Sequence, residues 1–313
     1  MTDKQINKWL RSRFSSVGWV LIGYYALLNL FVMLEILLGD LIWMLQTYAG
    51  KASAFVSEEA WGYIVSIAVL LILLHVWKGS DFWRTEVLHR ERRMQPGTFL
   101  CLLILSVASQ LLNSFWISGL EMVLNLFGLS AMWVLESVSG SADTFSMFLY
   151  ASILAPIGEE LLFRGYVLRS LKPFGKRFAI WGSAILFGLL HGNLLQTPYT
   201  ILMGLLLGYV TVEYSIGWAV LIHLFNNLVL ADLLTRLTAN WSDVAYGVLM
   251  TLLLWGSFLL GLGILIRHRE SIRDYRNSEW IDKRVVKWFF LNPGVLVLTA
   301  IALVNMVSLL FVS

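Results

Sequence analysis

The residues that could do chemistry lie in apolar surroundings and repeat one spacing. Glu160 and Arg164 are four apart, with Glu159 beside them; Phe187 and His191 repeat the step, as do His223 and Asn227. On a helix, a four-residue step puts two side chains on one face. Glu160 and Arg164 are therefore expected to form an ion pair that neutralises both charges. Glu159 points about 100° away from that pair, which leaves its carboxylate available as a general base. His223 and Asn227 would face one spot from a second helix, and Phe187 and His191 would share a face on a third. Glu159, His191 and His223 are also a zinc-type ligand set, and a bound metal would make its water a ready nucleophile. The pattern H-E-x-x-H, which seats two ligands and a base on one helix, is absent from the sequence. Chemistry without a cofactor is the first expectation, with one divalent metal such as zinc as the alternative.

The elements that must position these groups are set by composition. Of 313 residues 58% are hydrophobic and 14% charged, with a mean hydropathy of +0.74. That is about half the charge of a typical soluble domain, which excludes a soluble enzyme, a disordered chain and a nucleic-acid binder. One cysteine, Cys101, excludes a disulfide framework and a cysteine-based zinc cluster. The chain reads as an all-α, polytopic transmembrane helical bundle.

A bilayer core of about 30 Å takes about 20 apolar residues per helix. Nine runs qualify as candidates: 17–39, 59–77, 97–120, 144–168, 178–194, 199–212, 217–235, 244–266 and 295–312. The runs 178–194 and 199–212 are short, so eight spans is the alternative count. The first run follows a basic leader but lacks a cleavage-type small-residue signal, and is expected to be an uncleaved helix. With a cytoplasmic N-terminus and nine spans, 20 of the 23 Lys and Arg fall on the inner side, in segments around 4–13, 78–93, 169–177 and 267–287. Lys51 and Arg236 fall outside, and Arg164 lies within a span. Positive residues concentrate on the cytoplasmic side of membrane proteins. The compact loops suggest a plasma membrane, of bacterial type. The runs 78–96 and 267–292 suggest amphipathic segments that meet anionic headgroups.

Ionisable groups inside spans are expensive and are functional candidates by default. Glu35, His75 and Asp232 lie near span ends, where a side chain can reach water, and are expected to be structural or interfacial. Glu159, His191, His223 and Asn227 lie deeper, at roughly 14, 20, 9 and 15 Å from the cytoplasmic ends of their helices at 1.5 Å per residue. Three helices thus bring a carboxylate, two imidazoles and a carboxamide to similar depth. Pro156 is expected to kink its helix just ahead of Glu159, and Gly158 to admit a close neighbour.

The stretch Ala155-Pro-Ile-Gly-Glu-Glu-Leu-Leu-Phe-Arg-Gly165 resembles the EExxxR motif of the CPBP family, the CAAX protease and bacteriocin-processing (Abi) intramembrane proteases. Phe187-Gly-Leu-Leu-His191 is similar to that family's FxxxH motif, and His223-Leu-Phe-Asn-Asn227 to its HxxxN motif. The resemblance covers about residues 145–230, with the motifs in family order. It implies that Glu159 and His191 activate a water, that His223 and Asn227 form an oxyanion hole, and that Glu160, Arg164 and Phe187 support the site. The physics is compatible: fixed donors in a dry site stabilise a developing oxyanion, and a carboxylate–imidazole pair can take a proton from water and pass it to the leaving amine.

The expected organisation is a three-span region at 1–142, a catalytic core of four spans at 143–236 and a two-span region at 237–313. The expected activity is endopeptidase cleavage of a membrane-associated peptide or protein near the cytoplasmic face. The partners are that substrate and the lipid bilayer, with no nucleic acid. A second reading keeps the fold as a non-catalytic scaffold or bacteriocin-immunity factor. A third, a transporter with a proton relay through Glu159, His191 and His223, lacks the inverted repeats such folds usually carry.

Overall fold

The computed structural model describes residues 3–48, 59–134, 144–278 and 281–311. Lys51 and the expected boundary between residues 142 and 143 lie outside them. The principal helices are α1 (Asp3–Tyr48), α2 (Trp61–Val87), α3 (Pro96–Asn125), α4 (Phe145–Phe174), α5 (Lys176–Leu190), α6 (Thr197–Glu213), α7 (Ile216–Thr238), α8 (Asp243–Arg267), α9 (Arg269–Asn277), α10 (Lys283–Phe290) and α11 (Pro293–Ser308). No strand occurs among the described residues, as expected of an all-α bundle.

Each of the nine apolar runs falls largely within a helix. By length and composition six helices can cross a membrane alone: α1 to α4, α7 and α8. The pair α10 and α11, bent by 60°, makes a seventh if it acts as one span. Helices α5 and α6 have 15 and 17 residues, roughly 22 and 26 Å at 1.5 Å per residue, against a hydrocarbon core of roughly 30 Å. They pack on each other and against α4, and each is shorter than that core. α1 is far longer than its apolar run, with 46 residues.

One hydrophobic cluster ties the outer helices to the hairpin. Phe14 and Leu21 of α1, Ile67 of α2, Leu162 and Phe163 of α4, Phe187 of α5, Phe289 of α10 and Leu298 of α11 are all buried in it. Phe14 meets Phe178 and Phe289 at ring-centroid distances of 5.9 and 5.5 Å.

The four basic segments meet at one end of the bundle. Trp288 Nε1 donates to Asn7 Oδ1 at 2.7 Å, and Asn292 Nδ2 to the Arg11 carbonyl at 3.0 Å. Glu213, at the end of α6, accepts from Tyr275 at 3.2 Å and pairs with Lys176 at 3.4 Å and Arg92 at 3.5 Å. Lys172 donates to Glu91 at 2.6 Å. Segments that alternate spans would send to one face are thus in direct contact.

Two of the three ionisable groups near span ends, Glu35 and Asp232, make structural contacts. The Glu35 carboxylate accepts from the N–H groups of Trp61 and Gly62 at 3.1 and 2.8 Å, capping α2 from α1. Asp232 pairs with Arg236 at 3.0 Å one turn away. His75 is exposed beside Ser80, with a 3.4 Å contact.

Candidate functional site

Local departures from α geometry occur in two of the helices that carry the site, α4 and α7. α4 takes wide π-type turns at Tyr150–Leu154 and Leu161–Val167, on either side of Glu159 and Glu160. α7 does so over Phe225–Leu233. Such turns recur at functional positions because they re-aim side chains without ending the helix. In α4 the Ala155 N–H reaches the Tyr150 carbonyl, five residues back. The next rung would run from residue 156 to Ala151, and Pro156 has no N–H to make it. The Ala151 carbonyl is bonded instead by Asn227 Nδ2 of α7, at 3.2 Å.

Gly158 is the contact point with α2. A Cβ there would overlap the Ile67 side chain. Close packing at this glycine brings α2 against the turn that carries Glu159, as its place in the sequence suggests.

Glu160 and Arg164 form the expected ion pair, Nη1 to Oε1 at 2.9 Å, with both side chains at 0% exposure. Complete burial removes screening by water and makes each group depend on its partner. The guanidinium lies over the Phe187 ring, 4.5 Å from its centroid, and Nη2 reaches the Gly204 carbonyl at 3.4 Å. Glu160 Oε1 also accepts from His223 Nδ1 at 2.9 Å. His223 Nε2 lies 3.7 Å from Glu159 Oε2. His223 therefore stands between the two carboxylates. Phe187 meets the rings of both histidines edge to face, at 4.8 Å for His191 and 5.9 Å for His223.

His191 is not within a helix, contrary to the run 178–194. α5 ends at Leu190, and His191 begins a tight turn completed by Gly192, whose φ of +63° is left-handed. Residues with a Cβ avoid that conformation, and glycine does not. The turn is held by Asn193, whose Oδ1 accepts from the Gln196 N–H at 2.8 Å, and by Trp116 of α3, whose Nε1 donates to the Leu194 carbonyl at 2.8 Å. His191 Nδ1 lies 2.9 Å from the Phe187 carbonyl. A carbonyl only accepts, so in that bond Nδ1 carries the hydrogen, and the neutral ring keeps a lone pair on Nε2.

Glu159 and His191 share the wall of a cavity of about 160 Å³, lined also by Tyr24, Tyr25, Leu28, Tyr150, Phe163, Phe187 and Leu190. His223 and Asn227 are not on that wall; His223 adjoins it through Glu159, and Asn227 is bonded to the Ala151 carbonyl, next in the chain to the lining residue Tyr150. Among the described residues no three His, Cys, Asp or Glu side chains form a group that could hold a metal ion.

Two groups of site residues escape a motif-based reading. Tyr24, Tyr25 and Leu28 come from α1, where they look like ordinary span residues. Tyr25 is held by Asn305 of α11, which donates to its hydroxyl at 2.7 Å. Gln110, Tyr199 and Asn226 line up behind Asn227. Their only sequence signal is polarity inside apolar runs.

Residues 141–229 match a family model described as type II CAAX prenyl endopeptidase Rce1-like. The match takes in all three motifs and helices α4 to α6, and it ends within α7. No curated protein and no solved structure matches the chain.

Proposed function

We propose that the chain, whose residues 141–229 match the type II CAAX prenyl endopeptidase Rce1-like model, is an endopeptidase that hydrolyses a membrane-associated peptide or protein near the cytoplasmic face of a bacterial-type plasma membrane. The observation that carries this reading is the cavity of about 160 Å³ that Glu159 and His191 line together, inside apolar helices. At roughly 30 Å³ per water, it has room for the nucleophile. The end of the bundle where the basic segments meet is assigned to the cytoplasm by the concentration of positive charge there.

Each residue has a task its chemistry allows. The Glu159 carboxylate and the His191 Nε2 lone pair accept a proton from water as its oxygen attacks the scissile carbonyl. That proton then goes to the departing amine, so the C–N bond breaks with charge balanced. Asn227 donates an N–H to the oxyanion. His223 donates through Nε2, which carries a hydrogen only in the imidazolium form while Nδ1 donates to Glu160. Glu160, Arg164 and Phe187 hold His223 in place. A carboxylate and imidazoles set in an apolar medium exert stronger electrostatic effects than they would in water.

The test is hydrolysis of internally quenched peptides by the purified protein in liposomes. One peptide carries a prenylated cysteine near its C-terminus; the other is apolar and unmodified. Cleavage that falls about 100-fold or more in Glu159→Ala, the order expected for loss of a general base, supports the reading. Equal rates for Glu159→Ala and wild type would remove its basis. The scaffold reading predicts no cleavage by either protein.

A further inference from the structure

We propose that Gln110, Tyr199 and Asn226 form a hydrogen-bond relay that fixes which end of the Asn227 carboxamide faces the reacting carbonyl. Tyr199 and Asn226 are thus positioning residues for the hydrolysis. This rests on the role given to Asn227 above.

The relay has a direction, and the backbone sets it. The Ala151 carbonyl can only accept, and it lies 3.2 Å from Asn227 Nδ2. Asn227 Oδ1 must then face away, where it accepts from Asn226 Nδ2 at 2.9 Å. That bond in turn points Asn226 Oδ1 at its other neighbours. It accepts from the Tyr199 hydroxyl at 2.6 Å and from Gln110 Nε2 at 2.8 Å. Each donor meets an acceptor along the whole chain of bonds, which runs across four helices. Asn227 Nδ2 has two hydrogens, and the Ala151 carbonyl takes one. The second is available to an oxyanion.

Without the relay, an amide side chain can rotate by half a turn and present Oδ1 instead, an acceptor that would repel the oxyanion. The Ala151 carbonyl opposes that flip, because it would then face Oδ1, acceptor against acceptor, and the flip would also require the Tyr199 hydroxyl and the Gln110 amide to turn and accept. Pro156 contributes by leaving the Ala151 carbonyl without its helical partner. The proline of the first motif and the asparagine of the third are thereby linked through one bond.

Two variants separate orientation from packing. Tyr199→Phe keeps the ring and removes one donor to Asn226. Asn226→Asp keeps the shape but offers Asn227 only an acceptor, which turns Nδ2 toward it and away from the oxyanion. On the quenched peptides, Tyr199→Phe is expected to lower kcat about 3- to 10-fold. Asn226→Asp is expected to approach the loss in Asn227→Ala, about 100-fold for an oxyanion donor. In both, KM stays within twofold, and Asn226→Gln or Asn226→Ser recovers activity over Asn226→Asp. In the Asn227→Ala background Tyr199→Phe should have no further effect, since no amide remains to orient. Full activity in Tyr199→Phe and Asn226→Asp, with Asn227→Ala impaired, would overturn the relay alone. An undiminished effect of Tyr199→Phe in the Asn227→Ala background would do the same. Full activity in Asn227→Ala would instead overturn the oxyanion role on which the relay rests.

Discussion

Replacing Arg164 by Met tests how the buried ion pair holds the site. Glu160 and Arg164 are both completely buried, and Glu160 Oε1 accepts two bonds of 2.9 Å, from Arg164 and His223. Arg164→Met removes one of these charge-assisted bonds, about 1.5–3 kcal/mol. It also removes the cation from the face of Phe187, where it lies 4.5 Å from the centroid; a desolvated contact of that kind contributes about 2 kcal/mol. The two terms give about 3.5–5 kcal/mol, close to the 3–5 kcal/mol typical of breaking a buried pair from one side. The double variant Arg164→Met, Glu160→Gln leaves no buried charge unmatched, and the carboxamide introduced beside His223 can still accept its hydrogen bond. It should be more stable than the single variant. The assay is reversible unfolding in mixed detergent micelles, followed by tryptophan fluorescence. A single variant within about 1 kcal/mol of wild type would refute the reasoning, because surface-like pairs give values of that size. A double variant that loses the sum of both single losses would also refute it.

Two further perturbations follow from particular contacts. Gly158→Ala places a methyl group on the Ile67 side chain, which must move aside, so the variant should lose about 1–3 kcal/mol by overpacking. Ile67→Ala should return part of that loss, and an unchanged melting temperature for Gly158→Ala would show that the Ile67 side chain yields without cost. Glu91 lies outside the spans, and the hydrogen bond from Lys172 holds its carboxyl below the usual glutamate range against the opposing effect of burial. A depressed carboxyl stabilises the fold above its unfolded value and stops doing so as pH falls through the lower, folded value. Wild type should therefore melt above Glu91→Gln at neutral pH, and the difference should close under acid conditions; a difference that widened in acid would contradict the assignment.

Much of the bundle was legible because burial in lipid leaves a direct mark on composition. Nine apolar runs sit in helices, and the basic segments between them meet at one end through Asn7, Glu91, Glu213 and Trp288. The i, i+4 spacing sufficed for Glu160 and Arg164, since a helix face is periodic. Hydropathy does not record whether a short run crosses the membrane or stops within it. α5 ends at Leu190, and His191 caps it because Gly192 can take a left-handed turn there. The π-type turns of α4 and α7 were also hidden, because they shift hydrogen bonds by one residue without changing composition. Pro156 was expected to kink its helix; the released carbonyl it leaves is bonded by Asn227. Tyr24 and Tyr25 were illegible for another reason: their role depends on α1 packing beside α4 and α11, far away in sequence.

The central claim is that Glu159 and His191 act on one water, and a double-mutant cycle in peptide hydrolysis tests it most directly. Glu159→Gln and His191→Ala are each expected to lower kcat by about 100-fold or more. If both serve the same proton transfer, the double variant should be no slower than the worse single variant, because groups that act as a unit are strongly non-additive. Losses that multiply across the cycle, or a single variant with wild-type kcat, would contradict the account.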